Sequence, residues 1–134
     1  MATRSTLVYV DPETNKVHAI YCHWDGYPEH HMPILREHYK DIEKIRKLFD
    51  LGDLSILAPE IGTTNDFENP TEEICLAYHR DRGEPYEDVK KRTYNTVLEA
   101  LKTEQPTYGT EYGYVWEEDS GWVAFDLPSL RQVA

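Results

Sequence analysis

The sequence predicts an α+β fold: a mainly antiparallel sheet of about five strands, with hairpins at both ends, packed with about three helices. Three observations carry this reading. Residues 6–24 and 108–127 each hold two strand-like runs joined by a turn cluster. Helical patterns fall only between those two regions. No regular strand–helix–strand series, the mark of a parallel sheet, runs along the chain. With 134 residues, a single domain spanning 1–134 is expected, large enough to bury a core without disulfides or metals.

Thr6–Val10 (TLVYV) is β-branched and aromatic, as strands are. Asp11-Pro12-Glu13-Thr14-Asn15 follows as a turn, because proline fixes φ and Asp and Asn bond to nearby backbone. Val17–Trp24 reads as the returning strand. Its alternate positions are Val17, Ala19, Tyr21, His23 on one face and His18, Ile20, Cys22, Trp24 on the other. Neither face is polar throughout, so a central strand covered on at least part of both sides is expected, with Cys22 and Trp24 in the core.

Pro28–Tyr39 reads as a helix with proline in its first turn, and Ile34, Leu35, His38 and His31 fall on one side. Asp41 is placed to cap a second helix, in which Ile42, Ile45, Leu48 and Phe49 share a face and Gly52 ends the run. Residues 53–73 are polar, with two prolines, and give no regular pattern; short turns pinned by Leu54, Ile56, Leu57, Ile61 and Phe67 are expected. Ile74–Tyr78 reads as a strand and residues 88–102 as a third helix, with Tyr94, Val97, Leu98 and Leu101 at amphipathic spacing and Pro106 beyond its end. Tyr108–Trp116 and Gly121–Leu127 then form the last hairpin, with Tyr112, Tyr114 and Trp116 on one face.

Composition narrows the function. Fourteen basic residues against 25 acidic ones give a net charge of −11. Such a chain lacks the basic face that displaces counterions from nucleic acid, and it is repelled by anionic membranes. Direct nucleic-acid binding and membrane association are therefore not expected; the charge fits solubility or docking on a basic partner. The acidic runs Asp66, Glu68, Glu72, Glu73 and Glu117, Glu118, Asp119 are either solvated loops or such a docking face. Arg80-Asp81-Arg82 either pairs with them or meets an anionic ligand. No apolar leader opens the chain and no run approaches a membrane span, so a cytoplasmic location is expected, with Cys22 and Cys75 as free thiols.

The densest chemistry lies in Cys22–His31, CHWDGYPEHH. His23 and Asp25, two apart at a strand end, point the same way if the chain stays extended; an Asp beside a His is the least that acid–base work requires. Tyr27, His30 and His31 sit at a helix N-terminus, where free N–H groups suit a small anionic ligand. The competing reading is a folding corner in which Asp25 caps the turn and His23 and Tyr27 pack. No metal is expected: the histidine spacings match no zinc signature, and His31 and His38 lie about 10 Å apart along an ideal helix axis. No nucleophile elbow, phosphate loop or dinucleotide fingerprint is present, so no cofactor is expected.

MATRS at the start, YCHWDGYPEHH followed by a helix entering His38-Tyr39, Leu51–Ser55 (LGDLS) and, more weakly, YGYVW…GWVAF together resemble a group of small phage, prophage and bacterial proteins, actinobacterial ones among them. The likeness covers most of the chain, and HWDGYP is its most specific part. It implies a phage or mobile-element accessory protein in the cytoplasm of a bacterial host; it brings no activity with it, so no residue role is carried over.

Two functions follow as expectations. One is a non-catalytic accessory protein that binds a host or defence-system protein, or a small anionic ligand, through His23, Asp25, Tyr27, His30 and His31. The alternative is a small enzyme acting on a phosphorylated or nucleotide-like substrate, with His23 and Asp25 as the acid–base pair and His30 or His31 steadying the anion. The enzyme needs His23, Asp25 and His31 to converge on one open pocket. A third reading, a structural homo-oligomer, would use an exposed hairpin edge.

Overall fold

The computed structural model describes residues 2–133; Met1 of the MATRS stretch and Ala134 lie outside them. The fold is α+β, with eight strands in one mixed sheet and five helices among the described residues. The elements are β1 (Ser5–Val10), β2 (Val17–Cys22), α1 (Pro28–His38), α2 (Ile42–Asp50), β3 (Leu54–Ile56), β4 (Leu76–Ala77), α3 (Tyr78–Arg82), α4 (Tyr86–Val89), β5 (Arg92–Tyr94), α5 (Val97–Tyr108), β6 (Tyr112–Glu117), β7 (Gly121–Asp126) and β8 (Arg131–Val133). The strand order is β4-β3-β2-β1-β6-β7-β8, with β5 also pairing β2.

Both terminal hairpins form. β1 pairs antiparallel with β2, Ser5 opposite Cys22, and β6 with β7, Trp116 opposite Trp122. The sheet is nevertheless mixed rather than mainly antiparallel, because the hairpins join through a parallel β1–β6 pair and β3 lies parallel to β2. The cause is long-range. Helix α5 crosses the sheet before β6 begins, and a crossover of that kind returns the chain parallel to where it left.

Helices cover both faces, as the two-sided apolar pattern of β2 requires. Ile20 and Cys22 join Leu7, Tyr9, Leu35, Tyr39, Leu48 and Phe49 under α1 and α2. Val17 and Ala19 join Val8, Ala100, Leu101 and Val115 under α5. Burying each large side chain contributes about 1.5–3 kcal/mol. Asp41 caps α2 by accepting from the Lys44 N–H at 3.4 Å.

The fold has more strands and helices than the expected five and three, because β3, β5, β8, α3 and α4 are short and carry little periodic signal, and three of the expected elements are displaced. The third helix is Val97–Tyr108, not 88–102: the Thr96 hydroxyl accepts from the Glu99 N–H at 3.1 Å and starts it there. Tyr94 falls in β5, Leu98 is left exposed, Pro106 lies inside the helix, and β6 cannot begin until Tyr112. The strand expected at 74–78 shrinks to Leu76–Ala77, and Tyr78 opens α3.

Residues 53–73 begin with β3 and continue as a braced loop. Asn65 ties it together, accepting from the Thr71 N–H at 2.9 Å and donating to the Thr71 and Ile74 carbonyls. Arg80 donates to the Ile61, Gly62 and Cys75 carbonyls and pairs with Asp81, whose carboxylate accepts from the Asn65 and Ala77 N–H groups. Arg82 lies over the Phe67 and Tyr78 rings at 4.9 and 4.8 Å. The Arg80-Asp81-Arg82 run is thus engaged inside the fold.

Candidate functional site

The Cys22–His31 corner divides into an inward and an outward half. It turns at Asp25, whose φ of 56° is left-handed, a conformation Asp tolerates better than most residues. Gly26 then approaches β1 so closely that a Cβ would stand 2.7 Å from the Ser5 Cβ and 2.8 Å from the Thr3 carbonyl oxygen. Its N–H donates to Thr3 and its carbonyl accepts from the Tyr114 hydroxyl. Tyr27 precedes α1, and its carbonyl accepts from the His30 and His31 N–H groups.

His31 points into the core and is fully buried. Its Nε2 is hydrogen-bonded to the Ser5 hydroxyl and its Nδ1 to His30 Nδ1, both at 3.0 Å. A neutral ring satisfies both contacts with one donor and one acceptor. Burial, then the nearby His30, lowers its pKa to about 3, so the ring is uncharged at neutral pH.

His23 goes to the opposite face of the sheet. Its Nδ1 is hydrogen-bonded to the Tyr21 hydroxyl at 2.6 Å, and Tyr21 stacks on Tyr108 of α5 at 5.1 Å. Burial and the Arg4 charge lower the His23 pKa. No hydrogen bond or ion pair joins His23 to Asp25 among the described residues, because the left-handed turn breaks the extended geometry that would have aligned them.

Asp25 and His30 instead face a cleft of about 370 Å³ between α1 and the braced loop. Ile34, Ile56, Leu57 and Pro70 form its apolar walls, and Glu72 reaches it from the loop. Burial is the largest influence on His30 and lowers its pKa, while the Asp25 charge and backbone pull the other way. Tyr27 stands edge-on to His30, with ring centroids 6.0 Å apart, and is 39% exposed. Trp24 is 43% exposed, not in the core as its alternation with Cys22 suggests. The covering helix starts only at Pro28, so the ring stays partly open to solvent, with His23 edge-on beside it at 4.7 Å.

The five residues singled out from sequence therefore occupy separate surroundings. Asp25 and His30 share one cleft; Tyr27 flanks it; His31 lies beneath it; His23 belongs to the far face. Sequence reasoning missed Ser5, which holds His31, and Trp24 as an exposed ring. It also missed Ile56, Leu57 and Glu72, which only the folded loop brings to Asp25. The acidic runs do not form one face. Glu72 lines the cleft with Asp25 and His30, whereas Glu117–Asp119 line a different cleft with Val10, Pro12 and Asn15.

Elsewhere, Arg92 bridges two buried carboxylates, Asp53 and Glu104, at 2.7 Å each, and Tyr94 donates to Glu104 at 2.6 Å. No group of three or more metal-ligating side chains gathers, and no helix is long and apolar enough to cross a membrane, among the described residues. No family model, curated protein or solved structure matches the chain.

Proposed function

We propose that this is a non-catalytic binding protein, a phage- or mobile-element-type accessory protein that acts in the bacterial cytoplasm by docking on a host or defence-system protein. The observation that carries the reading is the dispersal of the corner. The groups an acid–base enzyme would bring together are divided between a sealed core, a cleft and the opposite face of the sheet. What faces solvent instead is the pair of rings on either side of the Asp25-Gly26 turn, Tyr27 edge-on to the cleft residue His30 and Trp24 edge-on to His23. Exposed Trp and Tyr close together on a surface are what protein interfaces favour. The two carboxylates at the cleft weigh against a small anionic ligand there.

The test is affinity capture from host lysate, with the retained protein identified and its binding remeasured from purified components. Trp24→Ala with Tyr27→Ala is expected to abolish retention while thermal stability stays that of the wild type. His23→Ala is expected to retain the partner. Turnover of a phosphorylated or nucleotide substrate that His23→Ala abolishes would overturn the reading in favour of an enzyme.

A further inference from the structure

We infer that the Asp25–His30–Glu72 cleft receives a cationic side chain of the partner, an arginine or lysine whose aliphatic stem lies along Ile34, Ile56, Leu57 and Pro70. The inference rests on the docking function just proposed and specifies the chemistry of what docks.

Three features of the cleft carry it. First, its charge has no counter-charge among the described residues. There, neither Asp25 nor Glu72 takes part in an ion pair, and Arg46, Arg80, Arg82 and Arg92 are engaged elsewhere. Two free carboxylates beside a low-dielectric wall focus a negative potential on the space between them. Second, the walls are the wrong chemistry for a hydrated metal ion and the right one for a long stem. Ile34 and Ile56 are half-buried and Leu57 is buried, so an alkyl chain laid across them leaves water while its charged head stays at the rim. Third, the cleft is already built. Glu72 sits on the loop that Asn65 and Arg80 brace, and the His30 ring is held by His31 beneath it and Tyr27 beside it. A site that needs little ordering keeps more of its interaction energy.

His30 fits this role because its burial disfavours a positive charge, so at neutral pH it does not repel the incoming cation. Trp24 and Tyr27 at the same corner give the partner backbone an aromatic shoulder. An acidic protein of net charge −11 would also be steered toward a basic partner, and the cleft would fix the register after encounter.

The experiment titrates isotope-labelled protein with N-acetyl-arginine amide and with N-acetyl-citrulline amide, its uncharged isostere, following the methyl resonances of Ile34, Ile56 and Leu57. Saturable shifts with the arginine probe, about tenfold weaker with citrulline, are expected. Asp25→Asn with Glu72→Gln should weaken arginine binding by about tenfold as well, since both positions are exposed and unpaired. Absent or charge-independent shifts overturn the inference. In the capture assay, a partner lost by the Trp24/Tyr27 variant and retained undiminished by Asp25→Asn, Glu72→Gln leaves docking intact and overturns the cation site alone. Saturable arginine binding without any protein partner keeps the site and overturns the docking function.

Discussion

Replacing His31 with glutamine removes a titratable ring from the core and leaves an amide that can still bond Ser5. Burial lowers the His31 pKa from 6.5 to about 3, so the folded protein takes up no proton there until strongly acid conditions, whereas the unfolded chain takes one up near 6.5. A histidine with a depressed pKa contributes stability that is complete above the unfolded value and is lost as the pH falls toward the folded one. Each pH unit in that window is worth about 1.4 kcal/mol, so by about pH 4.5 the wild type has lost about 3 kcal/mol from this group relative to about pH 8. Urea unfolding followed by tryptophan fluorescence measures it, with wild type and His31→Gln compared at each pH. The surface carboxylates and the other lowered histidines, His18 and His23, are common to both proteins and cancel in the difference. His30 is in contact with the ring, so the pair is also compared in a His30→Gln background. The stability advantage of the wild type is expected to shrink by about 3 kcal/mol between those pH values. A difference that does not vary with pH refutes the reasoning, since it means that His31 protonates without unfolding the corner.

Two further outcomes test the frame around the site. Thr96→Ala removes the hydroxyl that accepts from the Glu99 N–H and should cost about 1 kcal/mol in urea unfolding; no change would show that α5 owes its start to packing alone. Arg92→Met leaves Asp53 and Glu104 buried without their shared cation and should cost about 3–5 kcal/mol. That cost should be smaller in mild acid than in alkali, because burial already pushes the Asp53 carboxyl up to about 6 against the pull of Arg92, and protonating it relieves the stranded charge. A thermal melt insensitive to pH would contradict this.

Local chemistry made the terminal hairpins legible: β-branched runs flank turn residues, and the period-2 pattern of 17–22 assigned Ala19 and Ile20 to their opposite faces. The parallel β1–β6 pair was not legible, because no residue in either strand encodes which way a distant partner runs. β5 was hidden for another reason. Arg92-Thr93-Tyr94 is short and polar, and it forms a strand because β2 offers an open edge there. The start of α5 could have been read, since Thr96-x-x-Glu99 is a capping signature; the apolar spacing from Tyr94 through Leu101 drew the boundary too early. Trp24 was misplaced because alternation was carried past the end of the layer that would have buried it. The cleft could not be read at all: Asp25 and Glu72 meet only through a loop whose path depends on Arg80 and Asn65.

The two halves of the corner explain why so many rings and imidazoles crowd into ten residues. The inward half, Gly26 and His31, fixes the turn against β1 and must stay small or uncharged to do so. The outward half, Trp24, Asp25, Tyr27 and His30, inherits its geometry from that packing: His30 is pinned through His31, and Asp25 is aimed by a turn that the close approach of Gly26 holds in place. The conformational cost of arranging the cleft is therefore met during folding, and the proposed partner would meet a surface already set. Damage to the inward half would weaken docking by loosening the geometry and would lower stability in step. Damage to Trp24, Asp25 or Tyr27 would weaken docking by removing contacts, with stability unchanged. A corner that served folding alone would show the first behaviour and never the second, so the two classes of variant separate a scaffold from a binding surface.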